Sequence, residues 1–299
     1  MTDAMPAVSV VIPTYNAAWC VRRAVDSVLA QTFNDFELIV VNDGSTDDTA
    51  RVLAEYGDRV RVVSKPNGGL SSARNAGIAA ARGRYVAFLD ADDAWLPEKL
   101  ARQMALMDAN DNLVFCSTAA RIESPEGAHL GDWSCAQSPL PVLEAIFATN
   151  AHVAGSGSAV LARKDAFARI GGFDEQLRSL EDIDMWMRLA AVGGYACVPE
   201  ALAIIVKRPG SMSGNLDVMR AAAIAVMQKN RALLPTDKRS GFWRQAYASM
   251  LSDYAKWAWR ANRRRQAVGD VLHGLWLAPL THGRLMLGLL IAMMMNRSL

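Results

Sequence analysis

Apolar and polar positions switch between two periods along the first third of the chain. Val8–Ile12 is a short run rich in β-branched residues, and Pro13-Thr14-Tyr15-Asn16 ends it. From Ala17 to Gln31 the spacing becomes helical, with Val21, Ala24, Val25, Val28 and Leu29 on one face. A second strand is predicted over Phe36–Val41, closing on Asn42-Asp43-Gly44-Ser45-Thr46-Asp47 before a helix over Thr49–Tyr56. A shorter strand over Arg59–Val63 leads through Lys65-Pro66-Asn67-Gly68-Gly69 into a helix over 71–81. The next strand, Tyr85–Leu89, runs straight into Asp90-Ala91-Asp92-Asp93.

Strands and helices alternating at this spacing imply right-handed crossovers and a mostly parallel, Rossmann-like sheet. The loops 13–16, 42–47 and 90–93 then share one sheet edge, where open α/β sheets bind ligands. Three carboxylates in four residues repel one another unless a positive charge sits among them. A hard divalent cation bridging to phosphate oxygens meets that need, because such ions take oxygen ligands. The alternative is a solvated acidic turn, or a cap for the segment at Leu96-Pro97. No GxGxxG follows the first strand and no GxxxxGK[ST] occurs. The acids and a metal are left to manage any phosphates.

Beyond this stretch, Trp95-Leu96-Pro97-Glu98 opens a helix to about Asp108, and 112–117 reads as a strand. Residues 123–141, rich in Gly, Pro and Ser, read as a long loop available to an acceptor. His129 and His152 read as structural or solvated, since no partner at metal-ligand spacing accompanies either. A strand over 156–162, a helix over 164–170 and a turn at 171–175 precede Leu180-Glu181-Asp182-Ile183-Asp184. Glu181 and Asp182 fall at a helix start, where carboxylates are stabilised by free N–H groups and the dipole. A strand pair over 195–206 leads to Lys207-Arg208-Pro209-Gly210-Ser211-Met212-Ser213.

Composition changes the picture at the C-terminus. The net charge of +2 hides an asymmetry: residues 220–299 carry 13 Lys and Arg against 3 Asp and Glu, leaving 19 against 27 before them. A basic segment of this kind suits an anionic partner, either membrane lipid or nucleic acid. No recognition motif supports nucleic acid. Helices are predicted over Asp217–Leu234, Gly241–Ala261, Arg263–Trp276 and Gly283–Met295. The apolar run Leu285–Met295 is 11 residues, short of the roughly 20 that span a bilayer. Two readings stay open: an interfacial helix, or a helical subdomain packed on the rest. Cys20, Cys116, Cys135 and Cys197 are scattered without a CxxC pair, so neither a thiolate metal site nor a disulfide scaffold is expected. The opening residues lack a basic n-region and a long apolar h-region, so no signal peptide is expected and a cytoplasmic setting is the default.

The segments Val11–Asn16, Val41–Asp47, Asn67–Gly77 and Phe88–Asp93 together resemble the family 2 glycosyltransferases of the GT-A fold, over roughly residues 7–215. The resemblance implies an α/β fold with a mostly parallel mixed sheet and an all-helical C-terminal extension. It divides the chain into a catalytic domain over 1–215, with a nucleotide-sugar half to about 110 and an acceptor half from 111, and an extension over 216–299. Pro13, Thr14 and Tyr15 then pack on the nucleotide base, and Asp43 accepts a hydrogen bond from it. Asp90 lies by the ribose, Ala91 belongs to the nucleotide-sugar site, and Asp92, with Asp90, ligates Mn²⁺ or Mg²⁺ on the diphosphate. Arg74 either assists the phosphates or is a surface helix arginine. Asp182 matches the catalytic base, while Glu181 either caps its helix or contacts acceptor. Lys207 and Arg208 reach the diphosphate. Asn42 stands where many relatives carry an aspartate, and the histidine common before Pro209 is missing. The implied reaction is inverting transfer from a nucleotide-diphosphate sugar, UDP first, to a glycan or lipid-linked hydroxyl in cell-surface polysaccharide synthesis. It would take place in the cytoplasm or peripherally on the inner face of the cell membrane. The rivals are a non-catalytic carbohydrate-binding or scaffolding relative and a nucleotidyltransferase, which would normally carry a glycine-rich, basic loop where Pro-Thr-Tyr-Asn stands.

Overall fold

The computed structural model describes residues 5–135, 138–149, 155–208 and 214–295. The chain begins β1 (Val8–Thr14), α1 (Val21–Leu29), β2 (Phe36–Asn42), α2 (Thr49–Ala54), β3 (Arg61–Ser64), α3 (Leu70–Ala80) and β4 (Tyr85–Phe88). It continues through β5 (Ala94–Trp95), α4 (Lys99–Asp108), β6 (Leu113–Glu123), β7 (His129–Trp133), α5 (Val142–Thr149), β8 (Leu161–Arg163), α6 (Lys164–Ile170), α7 (Glu181–Ala190) and β9 (Gly194–Val206). Four helices close the described chain: α8 (Leu216–Lys229), α9 (Gly241–Arg260), α10 (Arg264–Leu277) and α11 (Gly283–Met294).

The strands form one mixed sheet in the order β3-β2-β1-β4-β8-β6-β9-β5, with β7 paired to β6. The first four strands are parallel, as the alternation of periods requires. Direction reverses at β4, which pairs parallel with β1 and antiparallel with β8. The acidic turn therefore leaves the sheet at its change of direction, a place where neighbouring connections part and leave a crevice. β1 runs two residues beyond the predicted strand, through Pro13 and Thr14. Proline is tolerated there because β4 pairs with β1 only as far as Val11.

Two apolar layers sandwich the sheet. On one side Val11, Ile39, Phe88 and Phe115 pack with Phe167, Phe173 and Trp186. Phe88 meets Phe173 edge-on with centroids 5.2 Å apart. On the other, Val10, Ile12, Val40 and Leu161 pack with α1 and α4. Gly77 marks where α3 presses on β1: a Cβ there would lie 2.2 Å from Val11 Cγ1.

Several segments depart from the expected pattern. The strand expected over 112–117 extends to Glu123, and the loop expected over 123–141 contains β7, folded back on β6 as a hairpin. The predicted strand over 156–162 is a short 3-10 turn followed by β8. The strand pair over 195–206 is one long strand, its pairing with β6 interrupted by irregularities. The hairpin carries Cys135 alongside β9, where it is disulfide-bonded to Cys197, 62 residues on, with Cα atoms 6.0 Å apart. That corrects the expectation drawn from cysteine spacing, which carries no information about strands brought side by side.

The C-terminal helices divide in two. Val226, Met227, Trp243, Tyr247, Met250 and Tyr254 of α8 and α9 belong to the same apolar cluster as the sheet. Asp184 of α7, fully buried, ties α7 to this part through Asn230 Nδ2 at 2.8 Å and Lys229 Nζ at 2.9 Å. α10 and α11 form a separate cluster against the far side of α9, around Val271 and Met286. No helix among the described residues is long and apolar enough to cross a membrane.

Candidate active site

Four connections converge at the C-terminal edge of the parallel strands. Asn16, in the left-handed region at φ 50°, accepts at Oδ1 from Thr46 N at 2.8 Å, and Asn16 N donates to Ser45 Oγ at 3.0 Å. The loops after β1 and β2 are thereby locked together, leaving Tyr15 half exposed above them. Pro13 and Thr14 belong to β1, and Thr14 Oγ1 donates to Val41 O, so this loop begins at Tyr15. Asn42 closes the second loop by accepting Ser45 N at 3.0 Å.

Asp43 is buried and fully engaged with the connection after β3. It accepts from Lys65 Nζ at 2.6 Å, Gly68 N at 3.0 Å and Gly69 N at 2.8 Å. Its visible work is to shape the 65–69 loop and hold the Lys65 ammonium at the edge of the cleft. Sequence reading passed over Lys65; its lysine-proline-asparagine context carries only a turn signal.

The acidic turn separates its carboxylates. Asp93 points inward, accepting from Ser158 Oγ at 2.5 Å and from Val206 N at 2.9 Å. Burial, and then Asp90 beside it, push its pKa well up. Ser158 Oγ also accepts Asp90 N at 3.0 Å, so one hydroxyl joins both ends of the turn. Through Asp93 the turn is tied to the end of β9, from which Lys207 and Arg208 emerge. Asp90 and Asp92 keep part of their surface, with Ala91 partly buried between them.

Each of these two carboxylates carries a guanidinium. Arg208 Nε lies 3.1 Å from Asp92 Oδ2, with its guanidinium 5.2 Å from the centroid of the exposed Trp19 ring. Lys207 extends instead over Trp133, at 5.4 Å. Arg74 NH2 lies 2.7 Å from Asp90 Oδ1, and Arg74 NH1 the same distance from Glu181 Oε1. Arg74 is 2% exposed, stacks 5.2 Å from the Phe173 centroid, and its Nε has no hydrogen-bond partner among the described residues. It is not a surface helix arginine. Burial alone would lower its pKa, but Asp90, Glu181 and Asp182 outweigh that and hold it charged.

Asp182 comes from the first turn of α7, entered through Leu180 at φ 58°. Asp182 Oδ1 accepts Ile183 N at 2.8 Å. Burial, with Glu181 beside it, pushes its carboxyl up to about 7, against the pull of Arg74. Glu181 is buried and turned toward Arg74, with no side-chain cap found on the helix. Arg74 thus joins the strand-end acids to the helix-start acids across 107 residues of sequence.

The donor set at Asp90 and Asp92 is two hard carboxylate oxygen ligands beside the cleft, which fits Mn²⁺ or Mg²⁺ completing its shell from a diphosphate. Among the described residues no group of three or more His, Cys, Asp or Glu side chains is placed to hold a metal alone. The segment 209–213, His152 and Arg297 lie outside the described residues.

The family model for glycosyl transferase family 2 matches residues 9–171, which contain the acidic turn, Arg74 and Ser158. The chain belongs to glycosyl transferase family 2. This family-2 chain is 35% identical over 198 residues to an uncharacterized glycosyltransferase of Rickettsia prowazekii, covering 62% of this chain and 59% of that one. It is 35% identical over 197 residues to chondroitin synthase of Pasteurella multocida, of which the match covers 20%. The chain thus spans only part of the length of these relatives. Its GT-A fold is shared with S. aureus TarS 1-349 in complex with UDP-GlcNAc, with TM-score 0.59, 19% identity and 90% and 91% of the two chains covered. It is also shared with the mannosyltransferase PcManGT of Pyrobaculum calidifontis in complex with GDP-Man and Mn²⁺, with TM-score 0.63, 20% identity and 97% and 81% covered. Family membership leaves nucleotidyl transfer without support.

Proposed function

We propose that this chain catalyses inverting, metal-dependent transfer of a sugar from a UDP-sugar to a hydroxyl of a glycan or lipid-linked acceptor in polysaccharide synthesis. The observation that carries the reading is the Arg74 bridge, which joins Asp90 of the turn to Glu181 at the start of α7. In this reading phosphate handling and proton removal lie side by side, as a single displacement needs. The neighbours in complex with UDP-GlcNAc and with GDP-Man support a nucleotide-diphosphate sugar as donor, the motif resemblance puts UDP first, and the synthase relative supports a polysaccharide product.

In this mechanism Pro13, Thr14 and Tyr15 hold one face of the base, and Asp43 with its 65–69 loop holds the base edge. Asp92, with Asp90, holds Mn²⁺ or Mg²⁺, which supplies Lewis-acid stabilisation of the diphosphate leaving group. Arg208 exchanges Asp92 for a diphosphate oxygen, with Lys207 beside it. Asp182 removes the proton from the attacking acceptor hydroxyl as a single general base. Its raised pKa suits that work near neutrality, because a base matched to the working pH is both deprotonated and basic enough. Glu181 stays paired with Arg74 and positions Asp182. No covalent sugar-enzyme intermediate is involved. The proposed nucleotide-sugar half to about 110 and acceptor half from 111 to 215 share one sheet, and α8 and α9, beyond 215, pack on it.

The test is a thermal-shift screen of nucleotide sugars with and without Mn²⁺, followed by a transfer assay. A donor at a hundred times its Kd stabilises the fold by about 2.7 kcal/mol. Stabilisation by a UDP-sugar that requires Mn²⁺ is expected. Stabilisation by none, or by free sugars alone, would favour a non-catalytic carbohydrate-binding role.

A further inference from the structure

α10 and α11 are apolar on the wrong side as well as the right one. In α10, Ala267, Val271 and Gly274 face α9 and are buried. Leu272 and Trp276, four residues apart, lie on the opposite face, where a globular protein places polar groups, while Val268 is partly buried against the inner cluster. Leu272 is half exposed and Trp276 is 77% exposed. α11 repeats the arrangement: Met286, Leu289 and Met293 face inward, while Leu287, Ile291 and Met294 face out, Ile291 at 57%. Leu280, in the turn between the two helices, is 98% exposed. Eight of the seventeen large exposed apolar side chains among the described residues fall within 272–295. Scattered exposed leucines need no explanation; a concentration of this kind does.

The charge around this surface has one sign. Arg264 and Arg265 stand exposed at the start of α10, and Arg284 at the start of α11 is the only charged residue of that helix. Arg264 and Arg265 border the same shallow groove as Val268 and Leu272. From Tyr254 to Met295 the sole acid is Asp270, which is buried and paired with Arg220. A second copy of this chain meeting the surface about a two-fold axis would set these arginines against their own kind. A nucleic acid would satisfy the arginines and leave leucine, isoleucine and tryptophan facing phosphate and water. A bilayer bearing anionic headgroups satisfies both, with cations at the headgroups and apolar side chains at the acyl boundary.

We infer that the outer face of α10 and α11 docks on the surface of an anionic lipid bilayer, lying on it without crossing. α11 is 12 residues, far too short to span. The inference does not depend on the glycosyl-transfer reading, and its test measures no transfer.

The test is co-sedimentation of the full chain with phosphatidylcholine vesicles and with vesicles holding about a quarter phosphatidylglycerol, at low and high salt. Partition at least tenfold stronger onto the anionic vesicles, weakened by salt, is expected. Trp276→Ser with Ile291→Gln, both exposed and remote from the cleft, should cut that partition at least tenfold, with circular dichroism unchanged. Arg264→Gln with Arg265→Gln and Arg284→Gln should abolish the preference for anionic over neutral vesicles. In anionic vesicles carrying brominated acyl chains, tryptophan emission should be quenched, and less so in Trp276→Phe. Equal partition onto both vesicle types, partition onto neither, or unchanged partition by the Trp276→Ser/Ile291→Gln protein would overturn it. Sedimentation equilibrium without lipid showing a stable dimer broken by those same two substitutions would assign the face to a second copy instead.

Discussion

Replacing Arg74 by methionine removes the cation shared by Asp90 and Glu181 while keeping most of the side-chain volume. Its two carboxylate partners lie 2.7 Å away, and Glu181 is nearly as buried as Arg74 itself. Breaking a buried ion pair by removing one partner costs about 3–5 kcal/mol, because the remaining charge keeps its desolvation penalty. Asp90 is more exposed and is partly relieved by water, so the lower half of that range, about 3–4 kcal/mol, is expected near pH 8. At roughly 2 °C or more per kcal/mol, the melting temperature should fall by about 6–8 °C. The loss should depend on pH with a definite sign. Arg74 holds the Asp182 carboxyl down to about 7, so without Arg74 that carboxyl keeps its proton to higher pH in the folded state. The unfolded chain then binds fewer protons than the folded mutant, so the mutant loses stability relative to wild type as pH rises through about 7. Urea denaturation of both proteins in EDTA between pH 5 and 8 measures this. Arg74→Met with Glu181→Gln should recover much of the loss, since a neutral pair has no charge to desolvate. Equal stability of wild type and Arg74→Met across this pH range would refute the bridge as the element holding the two acidic segments together.

Three further substitutions probe separate parts of the cleft. Asp182→Asn should lower kcat by on the order of a hundredfold or more while calorimetric donor affinity stays within about twofold. In the wild type, kcat should fall as pH drops below about 7, since protonation removes the base; a pH-independent rate between 5.5 and 8 would place the base elsewhere. Asp92→Asn should remove Mn²⁺-dependent UDP binding without unfolding the protein, read by calorimetry with and without metal; unchanged metal-dependent affinity would remove Asp92 from the ligand set. Gly77→Ala should destabilise by about 1–3 kcal/mol, because its Cβ collides with Val11 where β1 and α3 meet; denaturant midpoints matching wild type would show that α3 shifts freely.

What the sequence disclosed follows the range of the interaction involved. The β-α alternation, the sheet edge and the acidic turn are local patterns, and each can be read within about ten residues. The charge balance of the cleft is not local. Asp90 has its cation 16 residues back, and that cation has its second acid 107 residues ahead. Within Ser71-Ser72-Ala73-Arg74-Asn75, nothing distinguishes an arginine that faces water from one under the 157 turn, where Gly157 gives its guanidinium room. The same limit hid Ser158, whose hydroxyl joins Asp90 and Asp93, and the Cys135–Cys197 link between the segment after the hairpin and β9. The two undecided readings of the C-terminal helices were undecidable for a related reason. A tail of apolar and basic residues is compatible with both packing and membrane docking until the sides of each helix are known. The fold separates the helices: α8 and α9 place their apolar residues against the sheet, whereas α10 and α11 retain a second apolar face with arginines at its border. Burial of the first pair therefore leaves the outward surface of the second pair unexplained by folding alone, which is the ground for the inferred lipid contact.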